Sequence, residues 1–181
     1  MKLLVHTCCG PCSLTVHEGF RTQGFDVTGF FYNPNIHPYT EHKQRLDALK
    51  SLAEMIDSPN LIVSDKYDME EFLRQVADNP SERCRHCYRM RLSETAKVAA
   101  ADGFDAFSTT LSVSPYQNHE MIKDIGNEVG EAASVKFVYE DFRPTFRDGQ
   151  QRAKELGLYR QKYCGCIYSE KDRFYKPKGK V

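Results

Sequence analysis

The sequence predicts an α/β fold, a parallel β-sheet with helices on both faces. Three observations predict it. Five short apolar runs recur along the chain, segments with helical apolar spacing separate them, and each crossover is too long for a hairpin. Strands joined through helices lie parallel and are covered on both faces. At 181 residues the chain is long enough to bury a real core, and one domain is expected over residues 1–181. Residues 157–181 form a short basic, cysteine-containing C-terminal extension to it.

The elements follow in order. Leu3–Thr7 reads as the first strand, and Ser13 to Gln23 as the helix after it. Val27–Tyr32 is the second strand. Glu41–Ile56 follows as a helix, with Leu46, Leu49, Leu52, Ala53 and Ile56 at helical spacing and Pro59-Asn60 as its stop. Leu61–Ser64 is the third strand, and the helix Met69–Ala77 ends at the Asn79-Pro80 break. A helix over Arg85–Ala101 stops at Gly103, and Ala106–Leu111 is the fourth strand. Glu120–Glu131 is helical, Lys136–Tyr139 is the fifth strand, and the helix Phe146–Leu156 ends at Gly157. The residues after it are rich in tyrosine and lysine, and their arrangement is not legible from spacing.

Composition excludes several classes. Apolar residues make up 40% and charged residues 28%, the balance of a soluble globular chain. No apolar run approaches the roughly 20 residues of a membrane span, and Lys2–His6 is too short for a signal peptide. A cytoplasmic location without membrane contact is expected. The formal net charge is zero but unevenly spread. Residues 160–181 carry seven basic side chains against Glu170 and Asp172, a net +5, which residues 1–159 balance with −5. Arg83, Arg85, Arg89 and Arg91 form a second basic cluster, opposed only by Glu82. Either patch could meet a polyanion.

In an open α/β sheet, ligands sit beyond the carboxyl ends of the strands. The first strand is followed by Cys8-Cys9-Gly10-Pro11-Cys12, the second by Asn33-Pro34-Asn35-Ile36-His37-Pro38-Tyr39. The fourth leads into Ser112–Tyr116, the fifth into Glu140–Pro144, which includes Asp141 and Arg143. A site assembled from these loops is the default expectation.

Seven cysteines are the outlying count. The number is odd, so complete internal pairing is impossible, and a reducing compartment disfavours structural disulfides. They fall into three groups: Cys8, Cys9 and Cys12; Cys84 and Cys87; Cys164 and Cys166. Thiolates select zinc, copper(I) or iron–sulfur clusters. One structural zinc or one [4Fe–4S] cluster consumes at most four, which leaves thiols for a second metal or a redox pair. A zinc ribbon would place its two CxxC pairs about 15–20 residues apart; here they are far more widely separated. Cys9-Gly10-Pro11-Cys12 has the spacing of a thioredoxin-type motif, but that chemistry has no use for the other cysteines. The loop is not built to cradle phosphate either: Gly10 is its only glycine, and Pro11 has no amide hydrogen to donate.

Five blocks carry a family resemblance: HTCCGPCS (6–13), FYNPNIHPYTEHKQR (31–45), ERCRHCYRMRLSETA (82–96), FSTTLSVSPYQNH (107–119) and DFRPTFRDGQQRAKELGLYRQKYCGCIYSE (141–170). Over nearly its whole length the chain resembles the epoxyqueuosine reductases of the QueH type, the cobalamin-independent class. The resemblance implies a Rossmann-like fold of the HUP group, related to the ATP-pyrophosphatases. It implies the last step of queuosine synthesis: reduction of the epoxide of epoxyqueuosine at the tRNA wobble position. It also implies a [4Fe–4S] cluster and an additional mononuclear iron, held by the seven cysteines. Cys9, Cys84 and Cys87 are assigned to the cluster; Cys8, with Cys164 or Cys166 or both, to the second iron; and Cys12 to that iron as a terminal ligand. A Cys164–Cys166 dithiol, with a redox disulfide as its oxidised form, could supply or store electrons. No flavin or nicotinamide fingerprint is present, so an external donor such as ferredoxin or flavodoxin is expected.

Within this reading His37, Tyr39 and, third, His119 are the candidate proton donors. Asn33 and Asn35 would bind sugar or cyclopentene-diol hydroxyls, and Asp141 and Arg143 would reach the substrate. Tyr88, Tyr116 and Tyr163 are candidates for stacking on extruded bases. The four arginines around Cys84 and Cys87, with Tyr159, Arg160, Lys162 and the tail lysines, would contact anticodon-stem phosphates. Two rivals remain: an iron–sulfur tRNA-thiolating enzyme, and a non-catalytic metal-binding module that docks RNA.

Overall fold

The computed structural model describes residues 1–56 and 60–176. The expected stop at Pro59 and the tail lysines Lys178 and Lys180 lie outside the described residues. The strands are β1 (Lys2–His6), β2 (Asp26–Phe31), β3 (Leu61–Val63), β4 (Ala106–Thr109) and β5 (Lys136–Phe137). The helices are α1 (Gly10–Thr22), α2 (Tyr39–Met55), α3 (Met69–Val76), α4 (Arg83–Ala101), α5 (His119–Ala133), α6 (Phe146–Glu155) and α7 (Ile167–Phe174). The five strands form one sheet in the order β3-β2-β1-β4-β5, and every pairing is parallel.

Strand periodicity sorts the core into two layers. On β1, Leu4 packs with Phe30, Phe107, Leu92 and Ile122 under α4 and α5. Leu3 and Val5 face the other way, toward Val16 and Phe20 of α1, with Phe142 completing that layer. The sheet is thus buried on both sides, as expected of a parallel sheet. Its order reverses between β1 and β4, where His6 pairs with Thr109. The crevice beyond such a reversal is where open α/β sheets bind ligands.

Most boundaries shift by one to three residues from the sequence expectation, and four departures have a clear physical cause or consequence. The fourth strand stops at Thr109, because the Thr109 hydroxyl accepts the Leu111 backbone N–H and opens a 3-10 turn over Thr110–Val113. The fifth strand is only Lys136–Phe137. The first helix begins three residues early, at Gly10, with proline tolerated in its first turn. The C-terminal segment closes with α7, whose N-cap is Cys166: its sulfur accepts from the Ser169 N–H at 3.4 Å.

Close packing of α5 on the sheet depends on small residues. A Cβ at Gly130 would lie 2.8 Å from the Val135 carbonyl oxygen, which is backbone and has nowhere to go. Gly130→Ala is expected to destabilise the protein by about 1–3 kcal/mol through overpacking, read as a lower denaturant midpoint at constant slope. A second expectation concerns pH. His17 donates to the Thr7 hydroxyl at 3.2 Å, and burial pushes its pKa from 6.5 down to about 3. Below pH 6.5 the unfolded chain takes up a proton at this residue that the folded chain refuses. Stability therefore falls as pH drops from 6.5 toward 3. His17→Gln, which keeps a donor for Thr7, is expected to flatten that fall in urea titrations.

Candidate metal centre

Beyond β1 the chain runs extended through Cys9, the N-cap of α1, and turns into the helix at Gly10-Pro11. That turn folds Cys12 back over Cys8 and Cys9. The three sulfurs lie within 4.8 Å of one another, all buried, and those of Cys8 and Cys9 are 3.7 Å apart. Gly10 permits the turn: a Cβ there would lie 3.1 Å from the Ala48 carbonyl oxygen of α2. The β4 turn contributes Thr110, whose hydroxyl accepts the Cys8 amide at 3.3 Å and faces the Cys8 sulfur at 3.5 Å. Hydrogen bonds from the Cys12 and Cys9 thiols, and then from Thr110, hold the Cys8 thiol well below its usual range despite burial. The same bonds push Cys12 up, and burial pushes Cys9 up. Three buried soft donors at the head of a helix make a site for a thiophilic metal or cluster.

The other four cysteines form a second group. Cys84 and Cys87 lie one turn apart in the first turns of α4, and Cys164-Gly165-Cys166 leads into α7. Cys87 and Cys166 share an apolar cluster with Phe72 and Val76, while Cys84 and Cys164 are exposed. Burial pushes the Cys87 thiol up to about 12, with Cys164, Cys166 and Cys84 adding to the rise against the pull of Arg91. Gly165 has φ +150, and its carbonyl accepts the His37 amide at 2.9 Å. All seven cysteines are free thiols, so the Cys164–Cys166 disulfide expected above is not formed; CxC geometry strains such a ring.

A cavity of about 560 Å3 joins the two groups; Cys8, Cys12, Cys164, Arg91, Thr110 and Gln161 line it. Arg91 is 2% exposed, yet no carboxylate pairs with it among the described residues. Its Nε donates to the Cys87 carbonyl at 3.1 Å and its Nη2 to the Cys87 sulfur at 2.9 Å. Burial would lower its pKa, but Cys87, Cys164 and Cys8 raise it and prevail. Arg45, 1% exposed, pairs with Glu41 and also feels Cys9. Gln161 points its amide nitrogen at Cys9 Sγ, 3.2 Å away, and Cys12 Sγ, 3.8 Å away, and leaves its own Oε1 without a partner. Two buried cations and a donor turned toward sulfur suit an anionic thiolate–metal centre, so the residues fit the implied cofactor class.

The remaining expected site residues are scattered. Asn33 is buried and structural: its Oδ1 accepts from His6 Nε2 at 3.2 Å and its Nδ2 donates to the Thr7 carbonyl at 2.9 Å. Asn35 is buried with its Oδ1 unpaired, its amide beside Gly165. His37 has both ring nitrogens engaged, accepting from the Ile167 N–H at 3.3 Å and donating to the Pro34 carbonyl at 3.1 Å. Tyr39 is exposed and stacks on His42. His119 donates to the Ser114 carbonyl and accepts from Tyr139. Asp141 and Arg143 form an exposed ion pair, whose hydrogen bonds hold the Asp141 carboxyl down to about 2. None of these lines the cavity, whereas Tyr116 and Tyr163 do. The arginine cluster is largely spent: Arg83 pairs with Asp172, Arg85 with Glu82, Arg89 with Glu128, and Arg91 is buried. Sequence reading placed Arg91 among phosphate contacts and passed over Arg45, Thr110 and Gln161. The i,i+4 spacing of Cys87 and Arg91 on one helix was the available signal.

Arg91→Met separates charge from packing. In the metal-free protein, where burial keeps the Cys87 thiol beside it neutral, losing this buried cation is expected to leave the thermal midpoint unchanged or higher. In the iron-reconstituted protein it is expected to lower the midpoint relative to wild type. An equal drop in both forms would assign Arg91 to packing alone.

The family described as epoxyqueuosine reductase QueH has a model that matches residues 3–172. A relative of that name from Dehalococcoides mccartyi is 43% identical over 177 residues, covering 97% of this chain and 96% of its own. One from Thermotoga maritima is 38% identical, covering 94% and 91%. One from Streptococcus pyogenes is 34% identical, covering 94% and 71%. Among solved structures, one described as a predicted subunit of a tRNA methyltransferase from Methanocaldococcus jannaschii superposes with a TM-score of 0.52 at 12% identity, over 93% of this chain and 94% of that one. That likeness is one of fold. With the match to residues 3–172 and the thiol centre at the sheet reversal, the chain belongs to the epoxyqueuosine reductase QueH family.

Proposed function

We propose that this protein reduces the epoxide of epoxyqueuosine, at the wobble position of tRNA, to the cyclopentene of queuosine. The observation that carries the reading is the buried Cys8–Cys9–Cys12 trio, of which Cys8 and Cys12 line a cavity, in a chain of this family. The reaction consumes two electrons and two protons: both C–O bonds of the epoxide break, a C=C bond forms, and the oxygen leaves as water. The electrons come from an external carrier such as ferredoxin or flavodoxin, without cobalamin.

A [4Fe–4S] cluster on Cys9, Cys84 and Cys87, and a second iron on Cys8, Cys12 and Cys164 or Cys166, would occupy the site. Support for the second set is that Cys8, Cys12 and Cys164 face one cavity. When bound, this centre supplies single electrons and a Lewis acid for the departing oxygen. The protein's own residues do the rest. Arg91 and Arg45 hold the site's negative charge in place. Gln161 and Thr110 orient the sulfurs of the first group. Tyr163, on the cavity wall, donates its hydroxyl hydrogen to the His37 backbone carbonyl, which fixes the Tyr163 ring against the loop after β2. A tRNA-thiolating enzyme would need a glycine-rich phosphate loop where this chain has Cys8–Cys12.

The test is direct. Anaerobically reconstituted, reduced protein is incubated with tRNA bearing epoxyqueuosine, and the digested nucleosides are weighed by mass spectrometry. The expected product has lost one oxygen. Cys84→Ala and Cys87→Ala are each expected to lower bound iron and sulfide together and to abolish turnover. A protein that takes up zinc alone, without iron or sulfide, would overturn the reading.

A further inference from the structure

We infer that Tyr116 and Phe146 form a stacking shelf for the unpaired base next to the reacting nucleotide, and that Lys162 and Arg173 hold its phosphates. The inference rests on the proposed tRNA reaction and names how the nucleic acid meets the cavity. Tyr116 is 84% exposed yet lines the cavity, which places its ring at the mouth. Phe146 supports it edge to face, with ring centroids 6.0 Å apart at 84°. The turn beneath is braced: the Tyr116 amide donates to Ser114 Oγ at 3.3 Å, and His119 donates to the Ser114 carbonyl at 2.8 Å. A braced, exposed aromatic ring costs little to order when a base stacks on it.

Unpaired positive charge lies on the same cavity wall. Lys162 and Arg173 line the same cavity, and neither forms an ion pair among the described residues. The acid beside them, Asp172, is occupied by Arg83 at 2.7 Å. The mouth therefore keeps free positive charge where the α4 surface has spent its own. The other two candidate tyrosines are unsuited: Tyr88 is in the core with its hydroxyl on Gln117, and the Tyr163 ring sits against Arg45. A cavity of about 560 Å3 suits one modified nucleoside, so a neighbouring base must lie outside it, at the rim.

The experiment is fluorescence anisotropy of reconstituted protein with a labelled RNA hairpin carrying a seven-nucleotide loop, and with a blunt RNA duplex. Tyr116→Ala is expected to weaken hairpin binding about tenfold or more, and Tyr116→Phe to hold it within about twofold, since the ring is kept. Duplex binding is expected to be unaffected by either. Lys162→Gln and Arg173→Gln are each expected to shallow the hairpin's log–log salt slope by about 0.7. Hairpin affinity indifferent to Tyr116→Ala, or lost equally for the duplex, overturns the shelf and leaves the reaction standing. Protein that binds the hairpin through Tyr116 but never deoxygenates epoxyqueuosine overturns the reaction and leaves the shelf.

Discussion

Arg45 buries a full positive charge where α2 meets the C-terminal segment. Its Nε donates to Glu41 at 2.7 Å, and its other nitrogens donate to the carbonyls of Cys164 at 2.8 Å and Tyr163 at 3.0 Å. Glu41 in turn accepts from the Tyr159 hydroxyl. A buried ion pair broken on one side costs about 3–5 kcal/mol, because the remaining charge has no water to turn to. That penalty makes the docking of residues 159–164 specific, and with it the presence of Cys164 at the cavity. The same guanidinium lies near enough to Cys9 to favour its thiolate. One side chain thus couples the order of the C-terminal segment to the charge of the N-terminal thiols.

Arg91 repeats the logic from the opposite layer. It reaches the cavity from α4, its hydrogen bonds end on Cys87, and its field extends to Cys8 and Cys164. Burying two arginines is unfavourable unless anions accompany them. Glu41 neutralises one; thiolates are the anions available to the other. The cysteines and the arginines explain each other, and neither makes sense in a core without the other.

Much of the fold was legible because it is built from local periodicity. All five strands were visible as short apolar runs, and the helix-bearing crossovers dictated a parallel sheet. The errors share a cause. Strand four ends at Thr109 because one hydroxyl captures the Leu111 amide, a hydrogen bond that apolar patterning does not encode. Helix α7 was missed because its stabilisers, the Cys166 cap and the docking of its preceding loop, are tertiary or carried by a residue read as a ligand. At the site, the cysteine groups were legible from spacing. Arg91 was not, because a surface arginine and a buried one look alike in sequence.

The α/β class, the three cysteine groups and the single glycine of the loop after the first strand are readable from residue order alone. Each follows from neighbours within a few residues, where residue type and spacing suffice. Only the tertiary structure decided which thiols meet, that Arg45 and Arg91 carry the compensating charge, and that Tyr116 alone of the candidate tyrosines stands free. Those outcomes depend on burial: a charge or a ring has one meaning in water and another in a dry core, and only the packed sheet sets which surfaces are dry.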